Sequence, residues 1–234
     1  IASRALRELS MRGLGRAAAG AARRLGLEKP GLWAFLPTYV RTAEALDPSL
    51  VVYHCVDHYA GNPGVDATWV EEVERRMLRR ADLVLATSPV LAERLQSLRP
   101  DVELAANVAD VELFGRAVTE ELPEPRELRG LPPRRAVYVG NLASYRIDFD
   151  LLLAVARLRP QLELVLIGVA GMGDVGAGKR SGAELLALPN VTVLGPRPQR
   201  DLPAYLRHCQ VALIPFLDNR HTRASLPLKL WEYL

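Results

Sequence analysis

The amino-acid sequence predicts an α/β fold made of parallel sheets, and three observations lead to this class. Short apolar runs rich in β-branched residues recur along the 234 residues. Helical patterns separate most of these runs, and strand–helix alternation is typical of a parallel sheet with helices on both faces. One charged segment with four prolines, 119–135, interrupts the alternation and is interpreted as a linker. We therefore predict two domains, 1–118 and 136–234, with a single large sheet as the alternative.

The strands are predicted from apolar runs that are short enough to be buried on both faces. In chain order they lie at 31–36, 49–56, 82–88, 102–107, 136–141, 162–168, 190–195 and 211–216. Helical patterns are predicted at 3–25, 69–80, 89–98, 149–158, 182–188 and 202–208. A last helix is expected to open in "SLPLKLWEYL", with Ser225 as N-cap and Pro227 in its first turn.

Composition excludes several classes of protein. Apolar residues make up 49% and charged residues 24%, which is ordinary for a soluble globular chain. A net charge of +3 is too weak to favour nucleic-acid binding. No apolar run approaches the ~18 residues of a membrane span. Cys55 and Cys209 are expected to be buried free thiols in a reducing compartment, with a disulfide as the less favoured alternative.

The most informative stretch is "VYVGNLASYRIDFDLL", 137–152. Ligands of parallel sheets bind beyond the carboxyl ends of the strands. Gly140 closes a strand and lets the backbone approach a ligand closely, and Asn141 follows it. Arg146 is placed to reach a diphosphate at that edge, before a helix capped near Asp148. An arginine on a solvated loop is the alternative.

The segment "GDVGAGKR", 173–180, is similar to a phosphate-binding P-loop. Arg180 stands where that motif needs a magnesium-binding hydroxyl, so a nucleoside triphosphatase is not favoured. A glycine-rich loop that contacts phosphate through Lys179 or Arg180, and a plain flexible loop, both remain open.

Histidines and an aspartate follow the second strand. His54, Asp57 and His58 would suit zinc only on a helix, and on a strand-to-loop run they diverge, so no metal is expected. Asp57 is interpreted either as a group that orients the acceptor or the sugar, or as a turn residue. His221, beside Thr222 before the last helix, is a candidate for contact with phosphate or sugar.

Five segments together resemble one family. They are "RRADLVLATSPVLAERL", "NVADVELF", "VYVGNLASYRIDFDLL", "NVTVLGPRPQRDLPAYLRHCQVALIPF" and "PLKLWEYL". In this order they are similar to the large group of retaining, nucleotide-sugar-dependent glycosyltransferases of the GT-B fold. The resemblance implies two Rossmann-like domains facing across a cleft. The first is the acceptor side and the second binds the nucleotide-sugar, and both are expected to be incomplete here.

The resemblance also implies roles for residues. Glu232 matches the glutamate that accepts hydrogen bonds from the donor's ribose, and a carboxylate can take two bonds from a cis-diol. Arg146 and Lys229 are the cations left to bind the diphosphate. The predicted catalytic residues are Arg146, Lys229 and Asp57, and the predicted donor-binding residues are Gly140, Asn141, His221, Thr222 and Glu232.

Three positions depart from the family pattern. Ala224 stands where a second glutamate is common, Asn141 replaces an arginine, and Ala109 replaces a glycine. These departures leave open an altered sugar specificity or a lost activity.

The resemblance implies transfer of a sugar to a glycan or lipid-linked acceptor in cell-surface polysaccharide or glycolipid synthesis. No metal or other cofactor is expected. The alternatives are a GT-B sugar-nucleotide epimerase and a non-catalytic two-domain sugar-binding protein. The protein is expected in the cytoplasm, with peripheral contact to an anionic membrane through the basic segment 1–25. A core-facing helix with a solvated basic side explains that segment equally well.

Overall fold

The computed structural model describes residues 3–62, 64–169 and 178–234, with the side chains of all of these except 178 and 179. The chain divides into two compact units. The first comprises Ile1–Asn107 and Arg223–Leu226, and the second comprises Val108–Thr222 and Pro227–Leu234. Within the described residues, no helix is both long enough and apolar enough to cross a membrane.

The first unit contains a parallel sheet in the order β1-β2-β3-β4. Its strands are β1 (Gly31–Ala34), β2 (Leu50–Cys55), β3 (Leu83–Ala86) and β4 (Glu103–Leu104). Its helices are α1 (Arg4–Arg24), α2 (Val40–Leu46), α3 (Ala67–Arg80) and α4 (Pro89–Gln96). The side chains of Ser3, Asp66 and Ser88 cap α1, α3 and α4 by accepting a hydrogen bond from an amide of the first turn.

A buried ionic group stabilises the core of this unit. Glu74 is only 3% exposed, and its carboxylate accepts two hydrogen bonds from Arg94, at 2.6 and 2.9 Å. The hydroxyl of Tyr53 donates a third bond at 2.8 Å. A carboxylate buried this deeply needs such partners, because an unpaired charge there would be strongly destabilising.

The second unit contains a parallel sheet in the order β7-β6-β5-β8. Its strands are β5 (Arg135–Val139), β6 (Glu163–Ile167), β7 (Val191–Gly195) and β8 (Val211–Ala212). The remaining helices are α5 (Val111–Thr119), α6 (Phe149–Leu158), α7 (Gly178–Leu186), α8 (Leu202–Arg207), α9 (Arg220–Ala224) and α10 (Leu228–Tyr233). Separate hydrophobic clusters cover the two faces of the sheet, as parallel strands require.

The strand order reverses at β5. The chain passes from β5 to β6 and β7 on one side, and then returns to β8 on the other side of β5. In open parallel sheets, the crevice at such a reversal is the usual ligand site, because the loops after the two central strands diverge there. The carboxyl ends of β5 and β8 are therefore the first place to look for a functional site.

The predicted two-sheet α/β class is confirmed, but the segment 119–135 differs from an open linker. Leu128 in this segment is fully buried in the second unit. The guanidinium of Arg135 donates to the carbonyls of Leu128 and Leu131 and to the carboxylate of Glu124. Because these contacts and α5 attach the segment to the second sheet, the units divide after Asn107 and not near residue 118.

Ser225 is not the N-cap of the last helix. Helix α10 begins at Leu228 and Pro227 occupies the cap position. The hydroxyl of Ser225 instead donates to Asp57 at 3.2 Å. Both cysteines are free thiols, as predicted, and burial raises the pKa of Cys55 and of Cys209 to about 11.

Candidate functional site

The ends of β5 and β6 form a rim of bare main chain. Gly140 has a φ of +147° and Gly168 has a φ of +150°, a backbone conformation that is strongly disfavoured for residues other than glycine. The amide of Gly140 donates to the carbonyl of Ile167 at 2.8 Å. A Cβ atom on Gly168 would lie 1.8 Å from the carbonyl oxygen of Gly140. The two strand ends can approach this closely only because position 168 is a glycine.

A pocket of about 280 Å³ opens beside this rim. Its walls are mostly apolar and come from the ends of three neighbouring strands and the start of α8. Its lining includes Val139, Asn141, Val169, Pro196, Arg197 and Leu202. The pocket has the apolar walls and few polar groups that are typical of small-molecule sites.

Lys229 brings a positive charge to the rim from helix α10. Its Nζ atom would lie 3.1 Å from a Cβ placed on Gly140. The same atom lies 5.5 Å from the ring centroids of both Tyr138 and Phe216. Burial lowers the pKa of Lys229 and the charge of Arg146 lowers it further, while Glu232 opposes both effects. An ammonium in this position would gain from a bound anion.

Arg146 supplies a second cation after β5. Its guanidinium lies 5.5 Å from the ring centroid of Phe216, and Nη2 lies 2.7 Å from Nε2 of His221. Because a guanidinium only donates, the contact assigns a lone pair to Nε2 and therefore a neutral His221. His221 is 3% exposed and its ring packs edge-on against Tyr145.

The loop that carries Arg146 is joined to the segment after β8 by a short antiparallel ribbon. The carbonyl of Arg146 accepts from Leu217, and the amide of Asp148 donates to Pro215, both at 2.8 Å. The side chain of Asn219 closes the ribbon by donating to the carbonyl of Tyr145 at 3.0 Å. The backbone on both sides of the arginine is thus fixed.

Asn219 also begins helix α9. Its Oδ1 atom accepts hydrogen bonds from the amides of His221 and Thr222, each at 3.0 Å. Asn219 is not among the site residues predicted from the sequence, although an asparagine before a short helix is a recognisable capping signal. The hydroxyl of Thr222 donates to the carbonyl of Leu217 and accepts from the amide of Asn219, so it serves the turn.

Helix α10 is attached to the end of β5. The hydroxyl of Tyr233 accepts a hydrogen bond from the amide of Val139 at 3.0 Å. Glu232, one residue before, has a pKa raised by burial and partly lowered again by Lys229. Glu232 also lines a second pocket, of about 350 Å³, between α10, α5 and α8. One turn of helix therefore carries a cation and a half-buried carboxylate in the second unit.

The remaining predicted groups lie elsewhere. Asp57 belongs to the first unit, where it accepts the hydrogen bond from Ser225. His54 packs between Trp33 and Phe35, and burial lowers its pKa. Among the residues described, no three histidine, cysteine or acidic side chains are grouped to hold a metal ion.

Two further expectations from the sequence concern the glycine-rich segment 173–180 and Ala224. Most of the glycine-rich segment 173–180 lies outside the described residues. Its last residue, Arg180, is exposed in α7 and pairs with Glu184 at 3.1 Å. Ala224, where the family pattern has a second glutamate, is buried in the core of the first unit, and its carbonyl accepts from Ser88 at 2.5 Å.

Comparison with known proteins identifies related transferases. No protein family profile matches the chain. TuaH of Bacillus subtilis (strain 168), named as a candidate glycosyltransferase of teichuronic acid biosynthesis, is 26% identical over 222 residues. The match covers 88% of this chain and 53% of TuaH, so the chain spans about half the length of this curated relative.

Solved structures of similar fold agree with this relationship. HepE of Anabaena, crystallised with UDP and glucose, matches 83% of this chain and 54% of its own with a TM-score of 0.64 and 17% identity. Sucrose-phosphate synthase of Thermosynechococcus elongatus matches all of this chain and 60% of its own, with a TM-score of 0.68 and 20% identity. The chain is therefore related in sequence to a glycosyltransferase and has the fold of the GT-B glycosyltransferases, as its motifs predicted.

Proposed function

We propose that this chain is part of a glycosyltransferase that moves a sugar from a nucleotide-sugar to a glycan or lipid-linked acceptor. The observation that carries the proposal is the pair of cations, Lys229 and Arg146, that both lie beside Phe216, with Lys229 also next to the glycine that ends β5, the strand at which the order reverses. The name of TuaH and the UDP and glucose held by HepE support the same class of donor and a role in envelope polysaccharide synthesis.

In this proposal the diphosphate of the donor lies along the main chain at Gly140. Lys229 and Arg146 lie beside it, and the pocket next to the rim receives the base. Glu232 accepts hydrogen bonds from the ribose hydroxyls, as an ionised carboxylate can. Side-chain cations, and not a metal ion, would then meet the charge of the departing diphosphate.

The proposed reaction retains the configuration of the sugar. The bond between the anomeric carbon and the diphosphate oxygen breaks, and its electron pair leaves with the diphosphate. The acceptor hydroxyl forms the new carbon–oxygen bond on the same face, and its proton passes to the departing phosphate oxygen. Asp57 is proposed to orient the acceptor or the sugar. The protein contributes placement and electrostatic stabilisation more than a strong base.

A cytoplasmic location is part of the proposal. Nucleotide-sugars are made and used inside cells, and the free thiols of Cys55 and Cys209 are compatible with a reducing compartment. We also propose that the transferred sugar is a hexose, which the glucose bound to HepE supports.

Calorimetry with UDP, GDP and TDP on the full-length protein tests the donor site. Glu232→Ala should weaken binding of the preferred nucleotide by about 3 kcal/mol, because two charge-assisted hydrogen bonds of ~1.5 kcal/mol each would be lost. Glu184→Ala, which removes an exposed carboxylate of the same unit, is the matched control. Equal affinities for the two variants with every nucleotide would refute the assignment of Glu232.

Turnover measurements test whether Arg146 and Lys229 act as the diphosphate leaves or only bind the nucleotide. Arg146→Ala and Lys229→Ala should lower kcat more than they weaken nucleotide binding, because their charge matters most as the diphosphate leaves. Arg157→Ala, which removes an exposed arginine of α6, is the control. Loss of affinity with an unchanged kcat would contradict the proposed mechanism.

A further inference from the structure

Helix α1 packs on its own unit through small residues. Its buried positions are Met11, Gly15, Ala19 and Ala22, which recur at helical spacing. A Cβ on Gly15 would lie 2.6 Å from the carbonyl oxygen of Arg41, so α1 and α2 meet almost backbone to backbone. Apart from Met11, the buried positions on the inward face of the helix are therefore small residues.

An ionic cluster fixes the rotation of α1. Glu8 accepts hydrogen bonds from Arg41 at 2.6 and 2.9 Å and from Arg76 at 3.0 Å. Glu44 joins the same two arginines at 2.6 and 3.1 Å. Glu8 is the acidic residue of the helix, and these contacts hold it on the packed side. The opposite side of α1 consequently carries no carboxylate of its own.

The leucines of α1 point outward. Leu6 is 55% exposed, Leu9 64% and Leu14 52%. Gly13 lies between them, and no atom is found within 4 Å of where its Cβ would be. Helix α1 packs on its unit with a solvated basic side, as the alternative expects, but it packs through Met11 and small residues and not through these leucines. The Gly/Ala positions take the packed side because their backbone must approach α2.

Uncompensated positive charge borders this apolar strip. Arg12, Arg16, Arg23 and Arg24 are exposed. Arg12 approaches Glu8 only to 4.0 Å, and within the described residues no ion pair of 4.0 Å or less involves the other three. Arg4 and Arg7 differ, because both approach Asp66, at 3.3 and 3.5 Å.

We propose that the outward face of α1, defined by Leu6, Leu9, Leu14, Arg12 and Arg16, docks on an anionic membrane surface. A helix of 21 residues is about 30 Å long and can lie flat at the interface. The leucines enter the boundary between headgroups and acyl chains, and the arginines meet lipid phosphates and anionic headgroups. The surface offers both components that such an interface requires.

This inference is independent of the transferase proposal, because it needs neither donor nor acceptor. Vesicle flotation of the full-length protein tests it directly, with vesicles of phosphatidylcholine alone and with phosphatidylglycerol added. We expect at least tenfold more protein on anionic vesicles at low salt, and a steep loss at high salt, because exposed charges are screened.

Two substitutions separate the apolar and the ionic contributions. Leu9→Ser and Arg16→Glu should each reduce binding to anionic vesicles at least tenfold, and neither changes a buried side chain. Leu158→Ser is the matched control, because Leu158 is 72% exposed at the end of α6 in the second unit. Circular dichroism verifies that each variant is folded.

Three results would overturn the inference. The first is an absence of flotation with anionic vesicles at low salt, which would indicate that another segment or a protein partner covers the face. The second is equal binding to neutral and anionic vesicles. The third is wild-type binding by Leu9→Ser and Arg16→Glu, which would place the membrane contact elsewhere.

Discussion

Asn219 is expected to act through Arg146, although it lies outside the set of charged groups. Its Nδ2 atom donates to the carbonyl of Tyr145, the residue before the arginine. Its Oδ1 atom accepts from the amides of His221 and Thr222. Asn219→Asp keeps the bonds accepted by Oδ1 and removes the donor, whereas Asn219→Ala removes all of these contacts.

The magnitudes follow from these contacts. The single side-chain bond lost in Asn219→Asp contributes about 1 kcal/mol to the free energy of unfolding. Asn219→Ala also removes the cap of α9, which adds ~0.5–2 kcal/mol, so a loss of about 1.5–3 kcal/mol is expected. If Arg146 moves away from the diphosphate position, UDP affinity should fall about tenfold in Asn219→Asp, equivalent to 1.4 kcal/mol.

A double-mutant cycle with Arg146→Ala tests whether Asn219 acts through Arg146, with UDP binding measured by calorimetry. If Asn219 works by positioning Arg146, Asn219→Asp should cost little affinity once the arginine is absent. Additivity within about 0.5 kcal/mol would refute the reasoning. Asn190→Asp is the control, because Asn190 donates to the carbonyls of Ala156 and Leu162 and should change stability without changing UDP affinity.

Three further outcomes follow from the same geometry. UDP affinity should fall as pH drops through the raised pKa of Glu232, because the carboxylate must be ionised to accept hydrogen bonds from the ribose hydroxyls. Calorimetry of Glu232→Gln should show no such loss of affinity at low pH. Affinity should also fall as pH rises through the lowered pKa of Lys229, earlier than for an ordinary lysine, and Lys229→Arg should move that loss to higher pH. In denaturant unfolding, Gly168→Ala should lower the free energy of unfolding by more than 3 kcal/mol, because the new Cβ would overlap the carbonyl of Gly140. The control is Gly195→Ala, which has a φ of +69° and open space around it and should cost only about 1–2 kcal/mol. Equal losses for the two variants would contradict the overlap.

Much of the fold could be predicted because its signals are local. Each of the eight predicted strands has a counterpart, and helix α6 spans the predicted 149–158. Helices α2, α5 and α9 were missed; α2 and α9 have seven and five residues, too few for a clear period. Strand β8 ends at Ala212, well before the predicted 216, since Pro215 has no amide to donate to a ladder.

The site could be predicted only where a charged residue follows a strand or opens a helix. Arg146 and Lys229 met that condition, and the structure places both beside Phe216. Asn219 did not, because its role depends on the carbonyl of Tyr145, distant in sequence. The orientation of α1 was also not predictable from apolar spacing, because the close approach of Gly15 to α2 decided it.

The glycine rim limits how this surface can vary. At Gly140 and Gly168 any other residue is strained, and at Gly168 it also collides with the neighbouring strand. The geometry that faces a ligand there is consequently the same whatever the ligand, and mutation cannot adjust it gradually. Among the residues that line the adjoining pocket, Asn141, Val169 and Pro196 directly follow the strand-end glycines and are not subject to this restriction. We therefore expect a change of substrate preference to arise from substitutions at these three positions, with Gly140 and Gly168 unchanged.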